Sequence, residues 1–340
     1  MASDRPNFIF IVTDDQGWED LGCFGHSACF GRYTLKTPVL DQLAREGLRV
    51  TNFYVNSPVC SPSRVGMMTG QYPARHGIDF AIHGSPEQDA AIGQKHLLDP
   101  AVPNLASVLR QAGYQTAHYG KWHMSGAWNP ETNPDAPDAG DYGFDHWACN
   151  AMNGDPLWRT DRGEVKAQHT SSEAIVNRSI EFLEGRDPSK PFLLNVWLLD
   201  PHAVLDPSPE QMEKFRHLSP FRGDPDKDPG AMCVYYSVIA NLDRQIGRLL
   251  DKLDALGLAD NTVIVFTSDN GPAPLWDTGT SNSGAGRTGP FRGIKASLYE
   301  GGVRMPFIAR WPGRTPEDVD RKSTRLNSSH SSVSRMPSSA

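Results

Sequence analysis

Two apolar runs in this chain end in acids. Asn7–Val12 (NFIFIV) leads into Asp14-Asp15, and Thr262–Thr267 leads into Ser268-Asp269-Asn270-Gly271. Asp14, Asp15, Asp269 and Asn270 offer only hard oxygens, a set suited to Ca2+ or Mg2+ and not to zinc. Taken singly, an aspartate at a strand end is more often a turn or cap residue; two such pairs at two strand ends favour the metal reading. A further cluster is Cys60-Ser61-Pro62-Ser63-Arg64. Pro62 suits the first turn of a helix, so Cys60 would stand at a helix N-terminus, where the dipole favours anions. Arg64, one turn on, could offer a planar fork to an oxyanion. The competing reading of a lone cysteine is a small buried hydrophobe. Lys121 and His123 in Gly120-Lys121-Trp122-His123, His202 after Asp200-Pro201, and Lys295 after Gly293-Ile294 complete the ionisable set. Each of these alone reads as a solvated or structurally satisfied side chain. His76, His83 and His118 are weaker candidates, and His26, His96 and His146 read as structural.

The elements that must position these residues alternate along the chain. Asn7–Val12, Tyr114–His118, Phe192–Leu199 and Thr262–Thr267 read as buried strands. Thr37-Pro38 opens a helix with Thr37 as N-cap and Gly47 closing it, and Asn104–Ala112 forms another that ends at Gly113. From about Val234 to Leu256 a long helix carries Leu242, Ile246, Leu249, Leu250, Leu253 and Leu256 on one core-facing stripe. The alternation predicts an α/β fold with a large mixed, mostly parallel sheet flanked by helices, its polar residues gathered at the C-terminal strand ends. Glu131–Asp141 and Asp206–Pro229, rich in Pro, Asp and Gly, read as surface loops. Trp128, Trp147, Trp158 and Trp276 read as loop residues near the strand ends, where indole rings could stack on sugars or simply pack.

Composition removes several classes of function. The 340 residues are 38% hydrophobic and 21% charged, an ordinary globular balance. A formal charge of −7 without a basic stripe argues against nucleic acid as a partner. No apolar run approaches the ~20 residues of a membrane span. Cys23, Cys29, Cys60, Cys149 and Cys233 are widely spaced, with no CxxC, so they form neither a disulfide framework nor a zinc pattern; a Cys23–Cys29 bridge stays open. The N-terminus lacks a signal-peptide pattern, so the chain as written reads as not exported. Asn177-Arg178-Ser179 is a glycosylation acceptor pattern, meaningful only after secretion. Residues 321–340 hold eight serines, four basic residues and no acid. They read as a disordered, non-native tail, following Trp311-Pro312-Gly313 with no strand or helix between.

Six motif blocks between residues 7 and 313 together resemble the type I sulfatases of the alkaline-phosphatase superfamily, of the arylsulfatase and N-acetylgalactosamine-6-sulfatase kind. Asp14-Asp15-Gln16-Gly17 with Asp20-Leu21-Gly22 is similar to their N-terminal metal motif, and CSPSR with Thr69–Gly77 (TGQYPARHG) resembles their signature. Gly120–His123 resembles a second signature, Pro201-His202 falls where the family places another histidine, and Thr267–Gly271 is similar to the second half of the metal site. Gly293–Lys295, Glu300–Pro306 and Trp311–Gly313 resemble the last block. The link after Gly22 is longer than the family's, and His202 is followed by Ala-Val-Leu where a proline is more usual.

The resemblance implies an alkaline-phosphatase-like sulfatase core, hydrolysis of sulfate monoesters, and Ca2+ as cofactor with Mg2+ second. It implies that Cys60 is converted to formylglycine by a formylglycine-generating enzyme. One hydroxyl of the hydrated aldehyde, near a metal held by Asp14, Asp15, residue 60, Asp269 and Asn270, would attack sulfur to give a covalent sulfoenzyme. His202 or Lys295 would protonate the leaving oxygen, and His123 would take the proton of the second hydroxyl. Arg64, Lys121 and Lys295 would neutralise the sulfate oxygens. The substrate expected is a sulfated carbohydrate or other sulfated small molecule. Two alternatives stand beside it: a phosphonate monoester or phosphodiester hydrolase of the same superfamily, and a non-catalytic binder of sulfated ligands. Residues 1–320 are expected to form a C-terminally truncated catalytic domain that lacks the family's small subdomain and is therefore marginally stable. The family acts in the periplasm, outside the cell or in lysosomes, and the compartment of this chain is left unassigned.

Overall fold

The apolar runs become the middle of a sheet because neither of their faces can meet water. The computed structural model describes residues 5–25, 35–83, 85–126, 135–150, 157–160, 165–166, 171–218, 230–274, 282–317 and 319–320. Among these, ten strands form one sheet: β1 (Asn7–Thr13), β2 (Leu48–Tyr54), β3 (Gln115–Lys121), β4 (His146–Asn150), β5 (Leu157–Thr160), β6 (Val165–Lys166), β7 (Phe192–Trp197), β8 (Thr262–Ser268), β9 (Arg304–Arg310) and β10 (Val319–Asp320). Their order is β10-β2-β9-β8-β1-β7-β3-β4-β5-β6. The block β8-β1-β7-β3-β4 is parallel throughout. Outside it, β9 runs antiparallel to both β8 and β2, and β5 antiparallel to β4 and β6. The mixed, mostly parallel α/β sheet expected from the sequence is the one observed.

The helices are α1 (Pro38–Arg45), α2 (Cys60–Thr69), α3 (Pro86–Ala91), α4 (Leu105–Gln111), α5 (Ser171–Gly185), α6 (Pro209–Glu213), α7 (Ala231–Ala255) and α8 (Glu300–Val303). Alternate residues of β1 serve opposite faces of the sheet. Ile9 and Ile11 join Leu194, Val196, Ile264 and Phe266 in a core closed by Leu43 of α1, Ile175 of α5 and Leu249 of α7. Phe8, Phe10 and Val12 join Leu193 and Trp197 in a second core, closed by Val65 and Met68 of α2 and Ala106 of α4. The stripe on α7 is as expected through Leu253, while Leu256 falls on the exposed C-cap.

Some local expectations change. Thr37 does not cap α1, because its hydroxyl donates to Asp41 Oδ1 at 2.9 Å and accepts from the Gly22 amide at 2.9 Å. The Val39 and Leu40 amides instead meet the two Asp243 oxygens of α7 at 3.1 and 2.9 Å, so the cap is tertiary. Glu46 is the C-cap, and Gly47 answers a different need: a Cβ there would stand 2.4 Å from the Ala309 carbonyl oxygen. Beyond Trp311-Pro312-Gly313, where no strand was expected, β10 pairs with β2 and covers part of its open edge. Helix α6, with a capping box at Ser208, lies inside the expected Asp206–Pro229 loop. Trp147 stands on β4 and packs on the second core, and the backbone of Trp158 belongs to β5; neither is a loop residue. Asn177-Arg178-Ser179 lies inside α5, with the Ser179 hydroxyl buried and bonded to the Ile175 carbonyl at 2.8 Å. His26, Cys29, Trp128, Trp276 and residues 321–340 lie outside the described residues, and Cys23, Cys60 and Cys233 are free thiols.

The tertiary cap yields the first test. Asp243→Ala leaves two amides of α1 without their acceptor, and urea unfolding should show a loss of roughly 1–3 kcal/mol. An unchanged midpoint would mean that water or another acceptor serves both amides.

Candidate active site

Neighbouring parallel strands release their last residues at one edge of the sheet. Asp14 and Asp15 follow β1, Asp269 and Asn270 follow β8, Asp200 and His202 follow β7, and Lys121 ends β3. Backbone bonds carry the ladder past the strand ends, from Asp269 N–H to Thr13 O at 3.0 Å and from Asp14 N–H to Asp200 O at 3.2 Å. Asp15 turns there with φ 65°. Helix α2 delivers Cys60 as its first residue and Arg64 one turn later, both buried, as the Pro62 spacing suggested. The Cys60 sulfur and carboxylate oxygens of Asp14 and Asp269 lie within 4.8 Å of one another.

Each buried acid has a cation or amide against it. Arg64 donates from Nε and Nη2 to Asp269 Oδ2 at 2.9 and 2.7 Å, and from Nη1 to the Lys121 carbonyl at 3.2 Å. Lys121 Nζ pairs with Asp14 Oδ2, and Arg64 Nη2 stands 3.9 Å from Asp14 Oδ1. Lys295 Nζ lies 2.7 and 2.8 Å from the two Asp15 oxygens. Asn270 donates from Nδ2 to Asp15 Oδ1 at 2.7 Å. His202 Nε2 is 3.8 Å from Asp15 Oδ2.

The ionisation pattern follows from this packing. Burial would raise the Asp14 carboxyl, but Lys121, His202, Arg64 and Lys295 hold it below the usual carboxylate range. Burial and the adjacent Asp14 charge push Asp269 up to about 7 against the pull of Arg64, as far as protein charges alone are concerned. Burial works against the Lys295 ammonium, and Asp15 overrides it, raising its pKa. Burial and then Lys295 depress His202; burial and then Lys121 depress His123 well below the imidazole range. Burial raises the Cys60 thiol despite Lys121 and Lys295.

A hard cation fits this donor set. Asp14 Oδ1 and Asn270 Oδ1 are buried with no hydrogen-bond partner among the described residues. Such oxygens are costly unless something positive completes them. A dication would also favour the ionised form of Asp269.

The residues singled out in the sequence thus converge; His123, near enough to feel the charges of Lys121, Arg64 and Asp14, has its Nε2 3.1 Å from the Ile82 carbonyl oxygen. His118 belongs to the core, edge-on to Trp122 and Trp197. Burial holds its pKa near 3. His76 lies in the short turn that follows α2, away from these contacts. The sequence reading missed Asp89, a fully buried acid of α3 with His83 Nδ1 at 2.6 Å on one oxygen and His96 Nδ1 on the other. The only signal was Ser85-Pro86, a helix start that brings an acid inward one turn later.

Acids and an amide at neighbouring strand ends, a cysteine opening a helix, and buried cations between them define a member of the sulfatase family. The family profile for sulfatases matches residues 6–336, and the chain belongs to that family. Among curated proteins it is 31% identical over 360 residues to arylsulfatase G of Rattus norvegicus, covering 93% of this chain and 61% of that protein. It is 30% identical over 339 residues to N-acetylgalactosamine-6-sulfatase of Homo sapiens, covering 92% of this chain and 58% of that one. The crystal structure of Ps i-CgsB in complex with k-i-k-neocarrahexaose superposes with a TM-score of 0.74 at 25% identity, over 94% of this chain and 69% of that one. The expected alkaline-phosphatase-like sulfatase fold is therefore observed. The chain spans about three-fifths of the length of the curated relatives it matches.

His118 gives a pH test. Unfolded, it takes up a proton near 6.5; folded, only near 3. The unfolded state binds more protons between those values, so the contribution of the neutral ring is complete above pH 6.5 and is lost as pH falls toward 3. Between pH 7 and 5 the wild type should lose roughly 2 kcal/mol more in urea unfolding than His118→Phe does. Equal losses would show that His118 is not held neutral.

Proposed function

We propose that this chain hydrolyses sulfate monoesters, with sulfated carbohydrates as its substrate class and residue 60, matured to formylglycine, as its nucleophile. The observation that carries the reading is the meeting of Cys60 with Asp14 and Asp269 beside Arg64, Lys121 and Lys295 in one buried space. A sulfate ester repels nucleophiles with its own oxygens, and its alkoxide leaves only with a proton. A cluster of fixed cations next to a helix-terminal nucleophile answers the first difficulty, and the neighbouring histidine answers the second. The named sulfatase relatives, and the oligosaccharide bound to Ps i-CgsB, support a sulfated sugar.

Asp14, Asp15, Asp269 and Asn270, with residue 60, would hold the ion, Ca2+ before Mg2+; when bound it supplies positive charge beside the nucleophile and the sulfate oxygens. Formylglycine supplies a geminal diol, one hydroxyl to attack sulfur and one whose proton can be removed afterwards. Arg64, Lys121 and Lys295 are already assembled by the acids, so they neutralise sulfate oxygens without rearranging. His202 is the better donor to the leaving oxygen. Asp15 makes Lys295 reluctant to release a proton, whereas His202, 3.8 Å from Asp15 Oδ2, exchanges protons more readily, the charges of Asp14 and Asp15 favouring its protonated form against burial and the lysines. His123, kept neutral by burial and Lys121, takes the proton whose loss releases sulfate and restores the aldehyde.

Purified chain should turn over p-nitrophenyl sulfate faster than bis-p-nitrophenyl phosphate, and the peptide bearing residue 60 should carry the mass of the aldehyde. Cys60→Ala should lose at least about a thousandfold in kcat. Faster phosphodiester cleavage would transfer the chain to the phosphonate and phosphodiester hydrolases. An intact thiol without turnover would leave it a binder of sulfated ligands.

The metal assignment has its own readout. Millimolar Ca2+ added to chelator-stripped protein should raise the thermal midpoint, because an ion that binds only the folded state stabilises it by mass action. Asp269→Ala should erase that rise. A wild type indifferent to Ca2+ and Mg2+ alike would count against the site.

A further inference from the structure

We infer that Asp89 is a positioning residue for His123, acting through the Ile82–His83 peptide group and fixing His123 as its Nε2–H tautomer. The significance given to His123 rests on the sulfatase reading above; the tautomer itself does not.

The Ile82 carbonyl and the His83 N–H belong to one planar peptide unit. On one side of it, the His83 N–H stands 3.1 and 3.2 Å from the two Asp89 oxygens. On the other, the Ile82 oxygen stands 3.1 Å from His123 Nε2. A carbonyl oxygen only accepts, so the proton in that contact belongs to Nε2. A neutral imidazole carries one N–H, which leaves Nδ1 with the lone pair. His123 Nδ1 is buried and has no hydrogen-bond partner among the described residues. It is therefore the nitrogen left to take a proton.

The carboxylate matters as a charge as well as an anchor. An anion at the N–H end of a peptide unit polarises it and makes its oxygen a stronger acceptor. Asp89 remains anionic despite burial because the His96, Gln94 and His83 hydrogen bonds favour its ionised form. Gln94 stiffens the same segment, donating to Asp89 Oδ1 at 2.6 Å and to Ala81 O at 3.1 Å, and accepting from Phe80 N–H at 2.8 Å. The Ile82 N–H donates to Ser61 Oγ at 2.9 Å, next to the nucleophile position. The segment from Phe80 to His83 is thus held by Asp89 and Gln94 on one side and by α2 and His123 on the other. His123 also sits at φ 55°, a backbone state that a non-glycine residue keeps only when its surroundings impose it.

The test is long-range nitrogen NMR on the full chain labelled with heavy-isotope histidine, the His123 signals being assigned by their loss in His123→Gln. Wild type should show His123 as Nε2–H, and a wild type with Nδ1–H overturns the inference without any variant. Asp89→Asn should give a mixture of tautomers and lower kcat on p-nitrophenyl sulfate by about 10- to 100-fold, with KM within about twofold. His83→Phe removes the ring contact and keeps the backbone N–H, so it should keep the tautomer. An unchanged tautomer or unchanged kcat in Asp89→Asn overturns the inference, and so does an equal kcat loss in His83→Phe. If wild type turns over no sulfate ester while the tautomer still switches in Asp89→Asn, the proposed activity falls and the positioning role stands.

Discussion

Everything at this site depends on one electrostatic constraint: like charges are buried side by side at the ends of adjoining parallel strands. The register that pairs Thr13 with Ser268 leaves Asp14 and Asp269 no freedom to separate. Two unit charges about 4 Å apart at an effective dielectric near 20 repel by about 4 kcal/mol. The arrangement stands because Arg64, Lys121 and Lys295 reach the acids from a helix, a strand end and a distant loop. Removing one partner from such a cluster leaves an uncompensated buried charge, at about 3–5 kcal/mol. The ion pairs therefore constrain the relative placement of α2, β3 and the 293–295 turn.

The same balance would let the site, as proposed, take both a cation and an anion. Asp14, Asp15 and Asp269 are matched by Arg64, Lys121 and Lys295. A dication added alone would leave excess positive charge, and an anionic ester added next would relieve it. A cation bound there need not displace a hydrogen bond from Asp14 Oδ1 or Asn270 Oδ1, which have none among the described residues.

What the sequence made legible is what rests on local pattern. The strand runs, the acids ending them, Pro62 in the first turn of α2 and the stripe on α7 all depend on neighbours within a few residues. What it hid depends on partners far along the chain. Thr37 is a good N-cap by type, yet Asp243, some two hundred residues away, took that place because the Thr37 hydroxyl was already committed to Asp41 and Gly22. His118 and His123 are close in sequence and alike in type, and only packing separates a core ring from one bonded to Ile82. Asp89 carried little signal beyond the Ser85-Pro86 helix start, because the role inferred for it arises from a peptide group that links it to His123 only after the segment folds. Resemblance supplied roles for the motif residues; it could not say which neighbours hold them.

The motif residues themselves divide into those that form the charged cluster and those that hold it in place. Asp20, in the same first block as Asp14 and Asp15, faces away from the cation cluster. It is fully buried, accepts from Tyr235 Oη at 2.7 Å and from the Gly17 and Arg287 amides at 2.9 and 3.1 Å, and burial pushes its carboxyl up to about 7. It joins the turn after β1 to α7 and to the loop that leads to Lys295. Gly17 belongs to the same joint, since a Cβ there would stand 2.2 Å from the Arg287 carbonyl oxygen. The turn can therefore carry two acids into a dry interior because a third acid, turned the other way, fastens it to the elements that bring the compensating lysine. A motif written as one short run of residues is in physical terms two devices, and only one of them belongs to the charged cluster.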